Sequence, residues 1–405
     1  MTAAAPGEPP AGLPGGPLDG VVVVDLGRAL AGPHAGMMLA DLGARVIKVE
    51  SPDGGDESRG WGPPFAGPAD APESTYFLSC NRGKESVTAD LKSDAGRLLL
   101  TRLVRRADVL VENFRAGTLD RLGFSAERLH EINPRLVVLS ITGFGHDGPE
   151  AGRPGYDQIA QGEAGLMSLT GPSPDEPTRV GVPIGDLLAG MYGAFGVLAA
   201  LRQRDVTGRG TVVRTSLLAS IVGVHAFQGT RHTVAGEVPR ATGNHHPSIA
   251  PYGLFRCPDG AVQIAVGNDS LWRRFAAVLG LEAADPRFAT GAARTVNRDE
   301  LTAEVEKALG AAPKAHWLAV LGEAGVPCGD VRDLAAVYES AQARSQGLVI
   351  EVDHPVLGAI RLPGPPLRFD GGGRAAHTAP PVLGQHNVSV RGWLDELDRR
   401  TDGEA

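Results

Sequence analysis

The sequence predicts an α/β fold built on a parallel sheet. Through the first 141 residues, short β-branched runs alternate with helical segments, a pattern typical of parallel strands joined by right-handed crossovers. The first run, at 21–25, contains four valines and lacks polar alternation, which suits a strand buried on both faces. A chain of 405 residues, 42% of them hydrophobic, is long enough to bury a large core and to form two or three domains.

The other elements of this alternation follow in order. Helices are predicted at 31–42, 93–106 and 125–132, and strands at 45–50, 109–112 and 135–141. Residues 51–70 are rich in glycine and proline and are therefore predicted to be irregular. Residues 1–16, rich in alanine, proline and glycine, are predicted to form a disordered tail. The sheet domain then occupies residues 17–224, with a long helix at 187–204.

The character of the chain changes after residue 224. A hairpin at 252–256 and 261–266, followed by helices at 270–279 and 298–312, indicates a smaller α+β domain at 225–335. Strand-like pieces at 349–352 and 360–363 and a helix after Val388 make up a C-terminal part, 336–405. We expect this part to return to the first domain.

Charge and cysteine content exclude several classes of protein. The chain carries 39 Lys and Arg against 47 Asp and Glu, a net charge of −8, which argues against nucleic acid or an anionic membrane as partner. Its three cysteines are too few and too widely spaced for a disulfide framework or a CxxC zinc site, and no HExxH motif is present, so no metal is predicted. Because no apolar run has the length of a membrane helix and no signal peptide is recognisable, we predict a cytoplasmic protein.

A glycine motif follows the strand at 135–141. Gly143, Gly145 and Gly148 match GxGxxG, the fingerprint of dinucleotide-binding folds, which would suggest a nicotinamide-dependent enzyme. That fingerprint requires a helix to open at the glycines, whereas Pro149 and Gly152 follow here. The motif is better interpreted as a plain or substrate-facing loop.

Asp186 has two interpretations. It stands among glycines and apolar residues, directly before the predicted helix. Position alone favours a helix N-cap, accepting N–H bonds from the first turn. Alternatively, helix N–H groups and the macrodipole would keep a partly dry carboxylate charged and therefore nucleophilic.

Basic residues recur where parallel strands are predicted to end, which is the usual place for a ligand crevice. Lys48 and Arg59 are two of them, and each could equally belong to an ordinary solvated surface. Trp61 lies in the Gly/Pro-rich loop, where an indole is costly unless it packs against something.

Taken together, many short segments resemble the class III (family III) CoA-transferases, the family that also contains formyl-CoA transferase and α-methylacyl-CoA racemase. The matching segments are PLDG at 17–20, AGP at 31–33, DLGARVIKVE at 41–50, GD at 55–56, RGW at 59–61, NR at 81–82, VENF at 111–114, LDRLGF at 119–124, ITGFG at 141–145, GYD at 155–157, GD at 185–186, GNHHP at 243–247, PY at 251–252, GVP at 325–327 and LGQH at 383–386. The resemblance implies a Rossmann-like large domain built from both chain ends, an inserted small domain and an interlocked homodimer.

The resemblance also implies a mechanism and a set of site residues. Asp186 would attack an acyl-CoA thioester and then carry CoA as an aspartyl thioester, which an acceptor carboxylate takes over. No tightly bound cofactor is implied, since coenzyme A enters as substrate. The residues implied in binding CoA or substrate are Arg121, Asn113, Phe114 and Lys92, then Arg28, Lys48 and Arg59, with Trp61, Tyr156, Asp157, Gly143 and Gly145 around the reacting groups.

Two alternatives share this resemblance. The family's racemases place His before the Asp of the segment that reads GYD here, and this chain has Tyr156, a poor base at neutral pH because tyrosine has a reference pKa near 10. A transferase is therefore favoured over a racemase. A non-catalytic CoA-binding protein would keep the basic residues without the chemistry. The segments at 243–247 and 251–252 most resemble members that use short dicarboxylic acyl groups such as succinyl-CoA.

Overall fold

A computed structural model describes residues 16–369 and 377–403. The predicted disordered tail, apart from Gly16, lies outside the described residues. The strands are β1 Val22–Asp25, β2 Arg45–Glu50, β3 Phe65–Ala66, β4 Glu73–Ser74, β5 Lys84–Thr88, β6 Val109–Glu112, β7 Val137–Thr142, β8 Val212–Ser216, β9 Tyr252–Cys257, β10 Gly260–Ala265, β11 Cys328–Asp330, β12 Val349–His354 and β13 Gly358–Pro363.

The helices are α1 Ala31–Asp41, α2 Thr75–Ser79, α3 Asp94–Arg106, α4 Thr118–Arg121, α5 Ala126–Ile132, α6 Asp157–Glu163, α7 Leu166–Leu169, α8 Ile184–Thr207, α9 Leu217–Gly223, α10 Ala226–Thr233, α11 Asp269–Leu279, α12 Gly291–Val296, α13 Arg298–Leu309, α14 Lys314–Glu323, α15 Leu334–Tyr338, α16 Ala341–Gln346 and α17 Asn387–Gly403. A short 3-10 helix spans Glu57–Gly60.

The predicted parallel sheet is confirmed. Six strands pair in the order β5-β2-β1-β6-β7-β8, and every pairing is parallel. Numbered along the chain, this is the 3-2-1-4-5-6 order of doubly wound folds, and its direction of winding reverses between β1 and β6. Ligands of such sheets bind outside the carboxyl ends of the strands at this reversal, so the loops after Asp25 and Glu112 are where a crevice is expected.

The two outer strands, β5 and β8, were not predicted. β5 reads KESVT, and Lys84, Glu85 and Ser86 in it are all buried. Each finds a partner on β2 or β1: Lys84 pairs with Asp25 of β1 at 2.8 Å, Glu85 pairs with Arg45 of β2 at 3.0 Å, and Ser86 donates to Glu50 of β2 at 2.6 Å. Burial of this strand thus depends on charge pairing, which hydrophobic periodicity does not detect.

The described chain divides into two compact units. One contains the described residues up to Leu166, Val180–Thr230 and the described residues from Gln342 onward. It holds the six-stranded sheet, with a hydrophobic core on each face, and Val390 and Leu394 of α17 belong to one of these cores. The other contains Met167–Arg179 and Arg231–Ala341, where the antiparallel sheet β11-β10-β9 packs against α11, α13 and α14. The domain boundaries at 225 and 335 stay predictions.

Helix α8 corrects one expectation. It is long and apolar enough to cross a membrane by length and composition, although no such run was expected. It packs on α1, β7 and β8, and the glycines on its inner side allow close contact: a methyl group at Gly193 would lie 2.8 Å from the Leu139 side chain. Because α8 packs on other elements of the sheet unit, we interpret it as a core helix, and core helices can be as long and as apolar as a membrane span.

Candidate active site

Asp186 is the third residue of α8, so its interpretation as the N-cap is wrong. The helix begins at Ile184, and the cap position is taken by Pro183, whose side chain accepts nothing. The capping bonds come from Asp157 at the start of α6: its Oδ1 accepts the N–H groups of Gly185 at 2.7 Å and of Asp186 at 3.3 Å. Within the described residues, the Asp186 carboxylate itself accepts no hydrogen bond and is left available for chemistry.

Asp157 is held in place from two sides. Its Oδ2 accepts from Gln161 at 2.7 Å, and the Gln161 Oε1 in turn accepts the N–H of Val180 at 2.8 Å. The loop after β7 packs closely against the segment before α6, where Gly143 and Gly155 face each other. This approach requires glycine, because a methyl group at Gly143 would lie 2.7 Å from the Gly155 Cα. Gly143 therefore places the start of α6 against the end of β7. Gly145, at φ +116°, follows in the same loop and donates its N–H to Thr142.

The electrostatics of Asp186 differ from the expectation of a fully charged group. Burial raises the pKa of this carboxyl to about 7, and the negative charge of Asp157 adds to the effect. The helix N–H groups that were expected to keep it charged are bound to Asp157 instead. Near neutral pH the carboxyl is therefore close to half ionised and partly shielded from water, and no side chain in the described part of the chain hydrogen-bonds to it.

Tyr76 is a candidate site residue that the sequence analysis missed. Burial raises the pKa of its phenol, and so do the charges of Asp186 and, more weakly, Asp157, so the phenol stays neutral and interacts electrostatically with the Asp186 carboxylate. Its ring packs edge-on against Trp61, with 4.8 Å between ring centroids. Ser74 caps α2 and also donates to the Trp61 carbonyl at 2.6 Å, which joins the two segments. No motif marks Tyr76, because packing of α2 brings it here.

Three of the predicted CoA-binding residues meet at the reversal of the sheet. The Asn113 side chain accepts the N–H of Arg28 at 2.8 Å and donates to its carbonyl at 2.9 Å, which ties the loop after β1 to the loop after β6. The Arg28 guanidinium lies 5.0 Å from the centre of the Phe114 ring. This Arg28 cluster, composed of Arg28, Asn113 and Phe114, occupies the expected position of a ligand crevice.

The remaining predicted residues are distributed differently. Arg121 and Lys92 are exposed on the segments that follow β6 and β5, and Tyr156 is 62% exposed at the residue before α6. Lys48 and Arg59 lie instead in buried ion pairs. The Lys48 ammonium is 2.9 Å from Asp56 and donates to the Gly27 carbonyl, which leaves it no access to a ligand in this conformation.

Arg59 also stabilises the loops through contacts within the protein. It donates twice to Glu50 at 2.8 Å, and its guanidinium lies 3.6 Å from the centre of the Phe77 ring. Both cations therefore shape the loops around the crevice, and their predicted contact with CoA gains no support from this geometry.

Comparison with known proteins adds three findings. The family model described as CoA-transferase family III matches residues 18–387. The succinyl-CoA:glutarate CoA-transferase of Mus musculus is 38% identical over 96% of this chain and 88% of its own, and the acetyl-CoA:oxalate CoA-transferase of Acetobacter aceti is 40% identical over 92% of each. A solved CAIB/BAIF family protein from Brucella suis superposes with a TM-score of 0.84 at 42% identity, covering 94% of this chain and all of that one.

Proposed function

Because the chain belongs to CoA-transferase family III and is an acyl-CoA:carboxylate CoA-transferase, we propose that it transfers CoA through a thioester on Asp186. The observation that carries the proposal is the Asp186 carboxylate, which is partly buried at the start of α8 and accepts no hydrogen bond from the described residues. The named relatives are transferases, so the racemase alternative is not favoured.

The exchange needs only the carboxylate and its substrates. Asp186 attacks the thioester carbonyl carbon, the C–S bond breaks, and CoA leaves as thiolate, so that the acyl group is joined to Asp186 as a mixed anhydride. The thiolate attacks the aspartyl carbonyl, the anhydride C–O bond breaks, and the donor acid leaves as carboxylate. The acceptor carboxylate then runs the same two steps in reverse and leaves as acyl-CoA. The phenol of Tyr76, whose pKa is raised in part by the charge of Asp186, is proposed to donate to an oxygen that gains charge during these steps.

CoA is proposed to bind at the reversal of the sheet. The Arg28 cluster supplies an aromatic face, an amide and a guanidinium there, and Arg121 and Lys92 supply exposed positive charge for the phosphates. Coenzyme A is thus proposed to enter this site as a substrate.

Short dicarboxylic acids are the proposed acyl groups. Two relatives that cover most of the chain are named for glutarate with succinyl-CoA and for oxalate with acetyl-CoA. A panel of these acyl-CoA donors against these acids, read by the masses of the CoA products, identifies the pair that this chain exchanges.

Trapping with hydroxylamine tests the intermediate. With acyl-CoA but no acceptor acid, hydroxylamine should convert the aspartyl thioester to a hydroxamate on Asp186, found by mass spectrometry of the peptide that carries it. Asp186→Asn should give no hydroxamate and no exchange. The peptide with Asp157 is the internal control and should stay unmodified. An active enzyme with an unmodified Asp186 would refute the proposal.

We further propose that the chain acts as a homodimer, interlocked as the resemblance implies. Its support is an apolar face on the neighbouring helices α6, α8 and α9 and the residue before α6, where large hydrophobic side chains are exposed. The apolar face consists of Tyr156, Ile159, Met191, Tyr192, Phe195 and Val222. Location in the cytoplasm stays a prediction.

A further inference from the structure

One buried carboxylate near the crevice has no basic partner. Glu112 ends β6 and is 7% exposed, and no described Lys or Arg pairs with it. The other buried carboxylates at this edge of the sheet, Asp25, Asp56 and Glu50, each pair with a cation. Burying a charge without an opposite charge is unfavourable, so hydrogen bonds must stabilise the Glu112 carboxylate in this position. One of them is the N–H of Phe114, which reaches the Glu112 Oε2 at 2.8 Å.

The other partner of Glu112 leads to a histidine. The Ser140 hydroxyl on β7 bonds to the Glu112 Oε1 and also lies 2.7 Å from the Nε2 of His146. A hydroxyl has only one proton to donate, so the three groups have two arrangements. Ser140 donates to an ionised Glu112 while the His146 N–H donates to Ser140, or a protonated Glu112 donates to Ser140, which donates to His146. In both arrangements Ser140 joins the two titratable groups.

The surroundings let both groups exchange protons. The three side chains line a cavity of about 200 Å³, which the charged groups Arg115, Asp120, Asp147 and Arg214 also line. Burial raises the pKa of Glu112, with Asp120 adding to it, although the hydrogen bonds from Ser140 and Phe114 act in the opposite direction. Burial lowers the pKa of His146, with Arg214 adding to it and Asp147 opposing it. The two pKa values are thereby brought closer together.

We propose that Ser140 and His146 are positioning residues for CoA binding, holding Glu112 as the ionised acceptor of the Phe114 N–H. This inference rests on the proposed function, which assigns Asn113 and Phe114 to CoA. When Glu112 is ionised, it accepts a charge-assisted bond from Phe114 and fixes the loop after β6. When Glu112 is protonated, that bond weakens and the loop is less well prepared for CoA.

The test is the dissociation constant of CoA, measured by calorimetry on the full chain between pH 5 and 8. Ser140→Ala removes the donor that stabilises ionised Glu112, so CoA should bind about 3- to 10-fold more weakly at neutral pH, the size of one lost hydrogen bond. The loss of affinity on acidification should also begin at higher pH than in the wild type. Ser140→Thr keeps the hydroxyl and should restore both properties.

Two further variants separate positioning from simple destabilisation. Glu112→Gln keeps the shape of the side chain but cannot ionise. The dissociation constant of CoA should therefore change less with pH in this variant than in the wild type. His146→Gln can still donate to Ser140 and should bind CoA more tightly than His146→Ala. Titration of the CoA phosphate is common to all variants and cancels in the comparison. The control is Glu131→Gln, an exposed carboxyl on α5, which should match the wild type.

The outcomes distinguish the two proposals. If CoA binds and is exchanged but Ser140→Ala shows the wild-type affinity and pH dependence, the positioning role is refuted and the proposed function stands. If CoA does not bind the wild-type chain at all, the proposed function fails together with this inference.

Discussion

At the scale of single residues, the pair Asp157 and Asp186 sets the electrostatics of the candidate site. Asp157 takes the N–H groups at the start of α8, and its charge raises the pKa of the neighbouring carboxyl. The Asp186 carboxylate is therefore left without these N–H donors, and as a result it is only partly ionised at neutral pH. The same arrangement explains why the N-cap interpretation fails: the cap comes from a residue 29 positions earlier in the chain.

The pH dependence of exchange should report on this pair. If Asp186 is the nucleophile, as proposed, only its ionised form attacks the thioester, so kcat/KM should rise with pH and reach half its plateau near pH 7, the value to which the pKa is raised. Asp157→Asn keeps an oxygen acceptor for the N–H groups but removes the charge, so the midpoint should fall by about one pH unit. The measurement is the initial rate of CoA transfer from pH 5 to 9. An unchanged midpoint would show that Asp157 does not govern the ionisation.

The same raised pKa predicts a cost in stability. Folding raises the pKa of Asp186 from 3.8 to about 7, so the folded chain binds more protons in this interval, and the contribution of Asp186 to stability falls as pH rises through it. Asp186→Asn should accordingly be more stable than the wild type at pH 8, by about 1–3 kcal/mol for a partly exposed group, with little difference near pH 4. Urea unfolding at both pH values measures it. A variant that is less stable at pH 8 would contradict the argument.

Sequence could find Asp186 but not its surroundings. The Gly-Asp pair before a glycine-rich helix is visible in the sequence, whereas Arg28, Asn113 and Phe114 are implied by the family resemblance. The electrostatic interaction of Tyr76 with Asp186 depends on how α2 packs, and the burial of Lys48 depends on which way a strand faces. Both facts arise from tertiary structure, and no local pattern encodes them.

At the scale of elements, buried ion pairs fix the loops at the edge of the sheet where the crevice is expected. Lys48 on β2 binds the Gly27 carbonyl and Asp56, while Asp56 accepts the N–H of Ala29 at 3.0 Å. Ala29 has a φ of +60°, unfavourable for a residue with a side chain, so these bonds hold the loop after β1 in a strained conformation. β5 was not predicted because its first three residues are polar or charged, although ion pairs and hydrogen bonds allow them to be buried. The more apolar strands β1, β2, β6 and β7 were predicted.

Breaking the buried pair should be costly. Lys48→Met removes the ammonium and leaves the Asp56 carboxylate buried without its cation, so the free energy of unfolding should fall by about 3–5 kcal/mol. Urea unfolding at pH 7 measures the change. Arg97→Ala is the matched control because its pair with Asp94 is exposed on α3, and it should cost about 1 kcal/mol or less. Equal losses in the two variants would mean that burial does not decide the strength of the pair.

At the scale of the whole molecule, the apolar face indicates where a second copy of the chain would bind. Phe195 is 71% exposed in the middle of the otherwise core-packed helix α8, and Met191 and Tyr192 lie one turn before it. Exposed clusters of this kind mark interaction surfaces in soluble proteins. A dimer that buries this surface would be stabilised by the hydrophobic effect.

Phe195→Glu should therefore dissociate the proposed dimer. A carboxylate buried between two copies of the chain lacks a partner, so sedimentation velocity should show the dimer for the wild type and a monomer for the variant at micromolar concentration. Leu98→Glu is the matched control, because Leu98 is 60% exposed on α3 and outside the apolar face, and it should remain dimeric. A monomeric wild type would refute the proposed homodimer, and a dimeric Phe195→Glu would place the interface elsewhere. If the monomer also loses CoA transfer while keeping its thermal midpoint, the active site requires residues from both copies.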